Sequence, residues 1–185
     1  MLKRSFDVAI SLLVLLATSP IWLVVAVIIV LSDHGPVLYR QQRVGLRGTT
    51  FRIFKFRTMV PNADKIGGYS TATGDPRITG IGQFLRRYSI DELPQLINVL
   101  LGDMSLVGPR PDVPGQRSLY SDAEFTKRHS VKPGITGLAQ ATSRSRATPE
   151  ERKRLDLEYV DNSSFLFDLK VIALTVRQVI SVGGN

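Results

Sequence analysis

The 185-residue chain contains no cysteine, so it has neither a disulfide frame nor thiolate metal ligands. His34 and His129 are its two histidines, too few for a histidine-rich metal site. Any metal must therefore be held by oxygen, which points to Mg²⁺ or a similar hard ion. No Gly-Lys-Ser/Thr phosphate loop and no dinucleotide fingerprint is present, which leaves a P-loop ATPase or a Rossmann enzyme without support. Internal repeats and low-complexity tracts are also missing. Acidic residues are in the minority, 16 against 24 Lys and Arg, and the resulting charge of +8 suits nucleic acid, anionic headgroups or phosphorylated substrates.

Charge is missing altogether from Val8 to Leu31, an apolar run longer than the roughly 18 residues that mark a membrane helix. A cleaved secretory signal is disfavoured because the run resumes after Pro20. Ser19-Pro20 falls near its midpoint, where proline removes a backbone hydrogen bond and crowds the preceding turn, so the helix is expected to kink or break. Each half, about 16 Å long, is too short to cross a core of about 30 Å alone. Lys3 and Arg4 precede the segment, and Arg40, Arg43 and Arg47 follow it. Basic residues on both flanks ask for the same side, which favours a re-entrant hairpin over a span.

Beyond Gly35-Pro36 the pattern becomes strand-like over Val37 to Val44 and Phe51 to Met59, joined by Gly45-Leu46-Arg47-Gly48, and this predicts a β-hairpin. Lys55 and Arg57 share a face of the second strand, either as a solvated strand end or as phosphate contacts. Residues 61–82 read as an ordered surface loop around Thr73-Gly74-Asp75-Pro76-Arg77. Arg86-Arg87-Tyr88-Ser89-Ile90-Asp91-Glu92-Leu93-Pro94 then places two carboxylates behind two arginines. The apolar run Leu93, Leu96, Ile97, Leu100 and Leu101 puts the acids at a helix start, with Ser89 and Glu92 as a capping box or with the helix beginning at Asp91. That end favours negative charge and nearby phosphate. The same residues also fit an ordinary helix cap.

Further on, Pro109 and Pro111 fix the backbone around Arg110, whose planar donor fork suits a phosphate or a base edge. Val131 to Gly137 carries a Pro-Gly turn, and Arg144 and Arg146 lie in a polar segment. Glu150 to Asp161 predicts a helix with Leu155 and Tyr159 inward. Phe165 to Ile180 predicts another, packed in the core or lying on a membrane surface.

Taken jointly these stretches resemble the monotopic phosphoglycosyl transferases of the bacterial sugar transferase family, in their small form. The resemblance is carried by Lys3-Arg4-Ser5-Phe6-Asp7, Ser19-Pro20, Phe54-Lys55-Phe56-Arg57-Thr58-Met59, Ser89 to Leu96, Gly102 to Pro111, and Lys132-Pro133-Gly134-Ile135-Thr136-Gly137. It implies an α+β, mainly helical fold: a re-entrant membrane helix broken at Ser19-Pro20 over residues 1–34, then a membrane-surface catalytic domain over 35–185 with a small β-hairpin and amphipathic helices. It also implies transfer of a sugar-1-phosphate from a UDP-sugar to polyprenol phosphate (undecaprenyl phosphate), releasing UMP, on the cytoplasmic face of the bacterial inner membrane. Asp91 would be the nucleophile that carries a covalent phosphosugar in a ping-pong sequence initiating glycoconjugate assembly. Asp91 and Glu92 would hold Mg²⁺, with Glu92 alternatively handling protons.

By the same resemblance Arg86 and Arg144 would hold phosphates, and Pro109, Arg110 and Pro111 would contact the uridine side; Lys55, Arg57, Arg86, Arg110 and Arg144, with a metal, could supply the charge that a phosphoryl transition state needs. The bilayer is the implied surface, a homodimer is compatible, and no nucleic acid is implied. Where the family usually has Trp-Ala-Gln-Val-Asn-Gly-Arg, this chain has Leu138-Ala139-Gln140-Ala141-Thr142-Ser143-Arg144, which leaves Arg144 and Arg146 as competing registers. A membrane-anchored, non-catalytic module binding anionic lipid, or a lipid-diphosphate hydrolase, are the readings from other classes.

Overall fold

A computed structural model describes residues 2–68, 74–143 and 147–182. Its first element, α1 (Leu2–Asp33), is a helix of 32 residues that continues without interruption through Pro20. The break expected at Ser19-Pro20 is therefore confined to one missing backbone bond. Proline at position 20 cannot donate to the Leu16 carbonyl, and the Ser19 hydroxyl donates to that oxygen instead, at 2.8 Å. The Thr18 hydroxyl adds a second bond to the Val14 carbonyl, at 2.7 Å. The Ser19 side chain thus fills the gap that the proline leaves, and the helix continues through it.

Both halves of α1 rest on the rest of the molecule. In the first half the charges are all consumed locally. Lys3 pairs with Asp168 and donates to the Val107 carbonyl, and Arg4 donates to the Val99 and Leu100 carbonyls at 2.6 and 3.0 Å. Asp7 is buried, accepting from the Ser105 hydroxyl and the Leu106 amide. In the second half Trp22 meets Phe56 edge-on at 5.2 Å, and Val25 and Ile29 are buried against Phe56 and Leu85. The opposite face, including Leu12, Leu13, Leu16, Leu23, Val24 and Leu31, is exposed. Among the described residues this is the one helix long and apolar enough to cross a membrane.

The hairpin forms as expected from β1 (Leu38–Val44) and β2 (Thr50–Phe56), antiparallel with Leu38 opposite Phe56 and Val44 opposite Thr50. The second strand ends at Phe56, so Arg57, Thr58 and Met59 lie beyond it. Residues 61–82 are less loop-like than predicted, since a one-turn helix α2 (Ala63–Ile66) and the start of α3 (Gly80–Arg87) fall within them. Asp75 and Arg77 form an ion pair that ties the segment together at 2.6 Å, whereas Thr73 lies outside the described residues.

Asp91 and Glu92 do not begin an α-helix. They sit in a 3-10 turn, Ile90–Glu92, and α4 (Gln95–Leu101) starts only after Pro94. Ser89 adopts a left-handed conformation with φ 56 and makes no capping bond, so the expected capping box is absent. The physical reason is Pro94, which is tolerated at a helix boundary but not in its interior. A second pair of strands was not foreseen: β3 (Ser105–Val107) runs parallel to β4 (Gly134–Thr136). The remaining α-helices among the described residues are α5 (Asp122–Arg128), α6 (Leu138–Thr142), α7 (Pro149–Asp161) and α8 (Phe165–Val182). Helices α6 to α8 and β3 bury Leu106, Val107, Leu138, Leu155, Tyr159 and Val171 against Phe6, Ile10, Val14 and Leu15 of α1. The architecture is α+β and mainly helical.

Candidate active site

The left-handed Ser89 turns the chain sharply after α3 and directs the 3-10 turn beneath the end of β2. Asp91 is consequently buried, 7% exposed, while Glu92 projects toward β2 and the turn after β3. The two acids thus have different surroundings. Glu92 Oε1 accepts from Lys55 Nζ at 2.7 Å and from Arg110 Nη2 at 2.6 Å, and Oε2 lies 3.4 Å from Arg110 Nη1. Burial alone would raise the Glu92 pKa, but the charges of Arg110 and Lys55 outweigh it and hold the carboxyl well below its usual range.

Asp91 goes the other way. Burial pushes its carboxyl up to about 6; Lys55, Arg86 and Arg110 pull down and Glu92 pushes up further. Among the described residues nothing donates a hydrogen bond to the Asp91 side chain. Its oxygens are left for something else. Lys55 is pulled down by burial, with Glu92 opposing, and Arg110 is raised chiefly by Glu92.

The structure gathers Lys55, Arg86, Arg110, Asp91 and Glu92 in one place. Arg86, in the last turn of α3, is fixed by a 2.8 Å bond from Nε to the buried Thr58 hydroxyl. Arg57 is used differently: its Nε donates to the Pro36 carbonyl at 2.6 Å and its guanidinium packs on Gly35, where a Cβ would come within 2.6 Å. It braces the connection leaving α1. Pro109 and Pro111 flank Arg110 as the sequence suggests, and both proline carbonyls are anchored, by Gly134 N and by Arg43. Arg144 and Arg146 lie outside the described residues. No group of three or more acidic or histidine side chains capable of holding a metal occurs among the described residues.

Other residues that shape the site carry no clear signal in the sequence. Asn98, fully buried in α4, accepts from Phe54 N at 3.0 Å and donates to the Arg52 carbonyl at 2.8 Å, pinning the strand that carries Lys55 to the helix that follows the acids. Its only signal was a lone amide inside the apolar run Leu96-Ile97-Asn98-Val99-Leu100. Arg128, Asp112 and Asp156 form a buried ion cluster behind Arg110, and nothing in their spacing links them.

One free buried carboxylate, beside a second acid already neutralised and within reach of three cations, is an arrangement for handling phosphoryl groups. Comparison with known proteins supplies the family. The family model for bacterial sugar transferases matches residues 1–182. The chain is 45% identical over 179 residues to an uncharacterized sugar transferase, EpsL, of Bacillus subtilis (strain 168), covering 97% of this chain and 87% of that protein. It is 46% identical to an undecaprenyl-phosphate glucose phosphotransferase of Komagataeibacter xylinus, over 96% of this chain and 36% of that protein. A UDP-glucose:undecaprenyl-phosphate glucose-1-phosphate transferase of Escherichia coli (strain K12) is 44% identical, over 95% of this chain and 39% of its own length. The match to the latter two thus spans less than half of each. On the full-length family match and these identities, the chain belongs to the bacterial sugar transferase family.

Proposed function

We propose that the protein transfers a sugar-1-phosphate from a UDP-sugar to a polyprenol phosphate such as undecaprenyl phosphate. The observation that carries this reading is the contrast within the dyad: Asp91 has a buried, unengaged carboxylate, while Glu92 is tied down by Lys55 and Arg110. An Asp91 oxygen attacks the β-phosphorus. The bond from that phosphorus to the bridging oxygen breaks, UMP leaves with the electron pair, and the sugar phosphate remains on Asp91. An oxygen of the polyprenol phosphate then attacks the same phosphorus and displaces Asp91, giving polyprenyl diphosphate sugar. Lys55, Arg86 and Arg110 surround the phosphorus with fixed positive charge throughout, and positioning of this kind accounts for most phosphoryl-transfer catalysis. Two half-reactions at one carboxylate allow a soluble donor and a lipid acceptor to react in turn.

The residues also fit Mg²⁺, because Asp91 keeps a free carboxylate and this ion is commonly held by one or two carboxylates together with substrate phosphates. Asp91 would hold the ion, with Glu92 as the counter-ion of Lys55 and Arg110. Bound there, Mg²⁺ would neutralise diphosphate charge. The exposed apolar face of α1, and the anchoring of both its halves on the same body, support a helix that dips into the bilayer and stays on one side of it; the basic residues on both its flanks favour the cytoplasmic side.

The test uses the full chain in detergent with Mg²⁺ and a panel of UDP-sugars, UDP-glucose first because two relatives carry glucose in their names. Intact mass should rise by one phosphosugar, with UMP released, and Asp91→Asn should show neither. Adding EDTA should suppress the adduct and excess Mg²⁺ restore it. Release of UMP with no adduct under rapid quench would refute the covalent step. Liberation of free sugar phosphate without acceptor, at the full turnover rate, would make the protein a hydrolase.

A further inference from the structure

We propose that Arg128 and Arg43 are positioning residues for this transfer, holding the backbone over residues 109–112 so that the Arg110 guanidinium meets Glu92 beside Asp91. The inference rests on the proposed function for its catalytic consequence, though not for its geometry. Four successive carbonyls of the segment are each held from outside it. Pro109 O accepts from Gly134 N at 3.0 Å, Arg110 O from Arg128 Nη2 at 2.7 Å, Pro111 O from Arg43 Nη1 at 2.9 Å, and Asp112 O from Val44 N at 2.8 Å. Two of these bonds are ordinary backbone pairing. The other two come from arginine side chains.

Prolines at 109 and 111 explain why side chains are needed. They remove two of the turn's backbone donors, so the carbonyls become the available handles for fixing it. Arg128 is itself built in deeply, at 2% exposure. Its Nη1 meets Asp112 at 2.6 Å, its Nε and Nη2 meet Asp156 at 3.0 and 2.7 Å, and its guanidinium lies 5.3 Å from the Tyr120 ring centre. Asp112 belongs to the turn, and Asp156 to α7. The guanidinium therefore joins the turn to a distant helix, through hydrogen bonds to Arg110 O and Asp156 and an ion pair with Asp112, a set of contacts that a single ammonium could not make together. Arg43, on β1, is braced by Gln41 while its other nitrogen reaches Pro111.

Stability alone is a poor account of this cluster. A buried arginine with two aspartates is commonly no more stabilising than an apolar replacement of equal volume, since desolvation offsets the attraction. What such a cluster supplies is fixed geometry, and its bonds end on the one turn that carries Arg110. Glu92, fixed in turn by Arg110 and Lys55, is the next residue to Asp91. The chain of contact runs from α7 through Arg128 to the site without a break.

The experiment is a double-mutant cycle on the full chain with two readouts. Arg128→Lys and Arg43→Lys are each made alone and together with Arg110→Met, and adduct formation from UDP-sugar is timed in a single turnover. With Arg110 present each lysine variant should slow the adduct by roughly 10- to 100-fold, the scale of an ångström-sized misplacement. With Arg110→Met already in place the further loss should be less than about twofold, because the group being positioned is gone. Equal losses in both backgrounds, or no loss with Arg110 present, overturn the proposal. If Arg128→Lys does not fold, Arg43→Lys, which is less buried, decides the same comparison. If the wild type forms no adduct with any UDP-sugar, it is the proposed function that fails, and melting temperatures then decide the positioning. Arg110→Met should lower Tm by about 3 °C in the wild type, as its ion pair with Glu92 is lost, but by less than about 1 °C beside either lysine variant. Additive shifts overturn it.

Discussion

Asp91 is held ionised at neutral pH against its surroundings. Its carboxyl is raised from 3.8 to about 6, chiefly by burial. Below about pH 4 the folded and unfolded chains are both protonated there, and the group has no effect. As pH rises through the window between 3.8 and about 6 the unfolded chain loses its proton first, so stability falls, by about 3 kcal/mol once both are ionised. Asp91→Asn removes this penalty and should raise Tm by roughly 6–12 °C at pH 7, with most of the gain gone near pH 4. Thermal scans at the two pH values check it. The same residue sets a catalytic limb. With Mg²⁺ present the adduct should form more slowly as pH falls and Asp91 takes up a proton, with the limb below about 6 because a bound cation favours the carboxylate. The dyad was legible in the sequence as two acids behind two arginines. Their division of labour was not, because it depends on Lys55 and Arg110, which lie 37 and 18 positions from Glu92.

Among the elements, α1 shows how a local rule can be locally repaired. Proline forbids one backbone bond, and the Ser19 hydroxyl fills the vacancy at the Leu16 carbonyl. In a bilayer an unpaired carbonyl has no water to turn to. Ser19→Ala should therefore cost about 1 kcal/mol in lipid nanodiscs, and close to nothing in the Pro20→Ala background, where a backbone N–H returns. Thermal unfolding of the two pairs reads the difference. The short parallel strands make a second case. A Cβ added to Gly134 would lie 2.1 Å from Gly108 N, so Gly134→Ala must push β3 and β4 apart. A loss of about 3 kcal/mol or more, followed by chemical denaturation, is expected, together with displacement of the Pro109-Arg110-Pro111 turn. The hairpin, α7 and α8 were readable because their periodicity extends over many residues. β3 and β4, three residues each, are too short to show a period. The 3-10 turn at Asp91 was misread as the start of an α-helix because the apolar spacing that follows ignores what Pro94 and a left-handed Ser89 do to the backbone.

For the whole molecule, both halves of α1 are anchored on the same body. Lys3, Arg4 and Asp7 are tied to α8, α4 and β3, and Trp22, Val25 and Ile29 pack on β2 and α3. A straight helix of 32 residues would extend about 48 Å, longer than a hydrocarbon core of about 30 Å. If one end crossed, it would carry these charges away from their partners. Single cysteines at Leu2 and Ser32, placed in a chain that has none of its own, should react with an impermeant maleimide from the same side of intact vesicles. Labelling from opposite sides would eliminate the re-entrant arrangement.

The sequence by itself determined what depends on composition and short range. The absence of cysteine and the scarcity of histidine restricted any metal to oxygen ligands. An uncharged run from Val8 to Leu31 specified an apolar helix, and the turn between two alternating segments specified a hairpin. Adjacency alone placed Asp91 next to Glu92. Tertiary structure decided which acid is hydrogen-bonded and which is not, that Arg57 braces the exit from α1 while Lys55 pairs with Glu92, and that Arg128 and Arg43 reach the turn around Arg110. Ionisation and charge pairing depend on distance and burial in space, and neither is encoded in the spacing of residues along the chain.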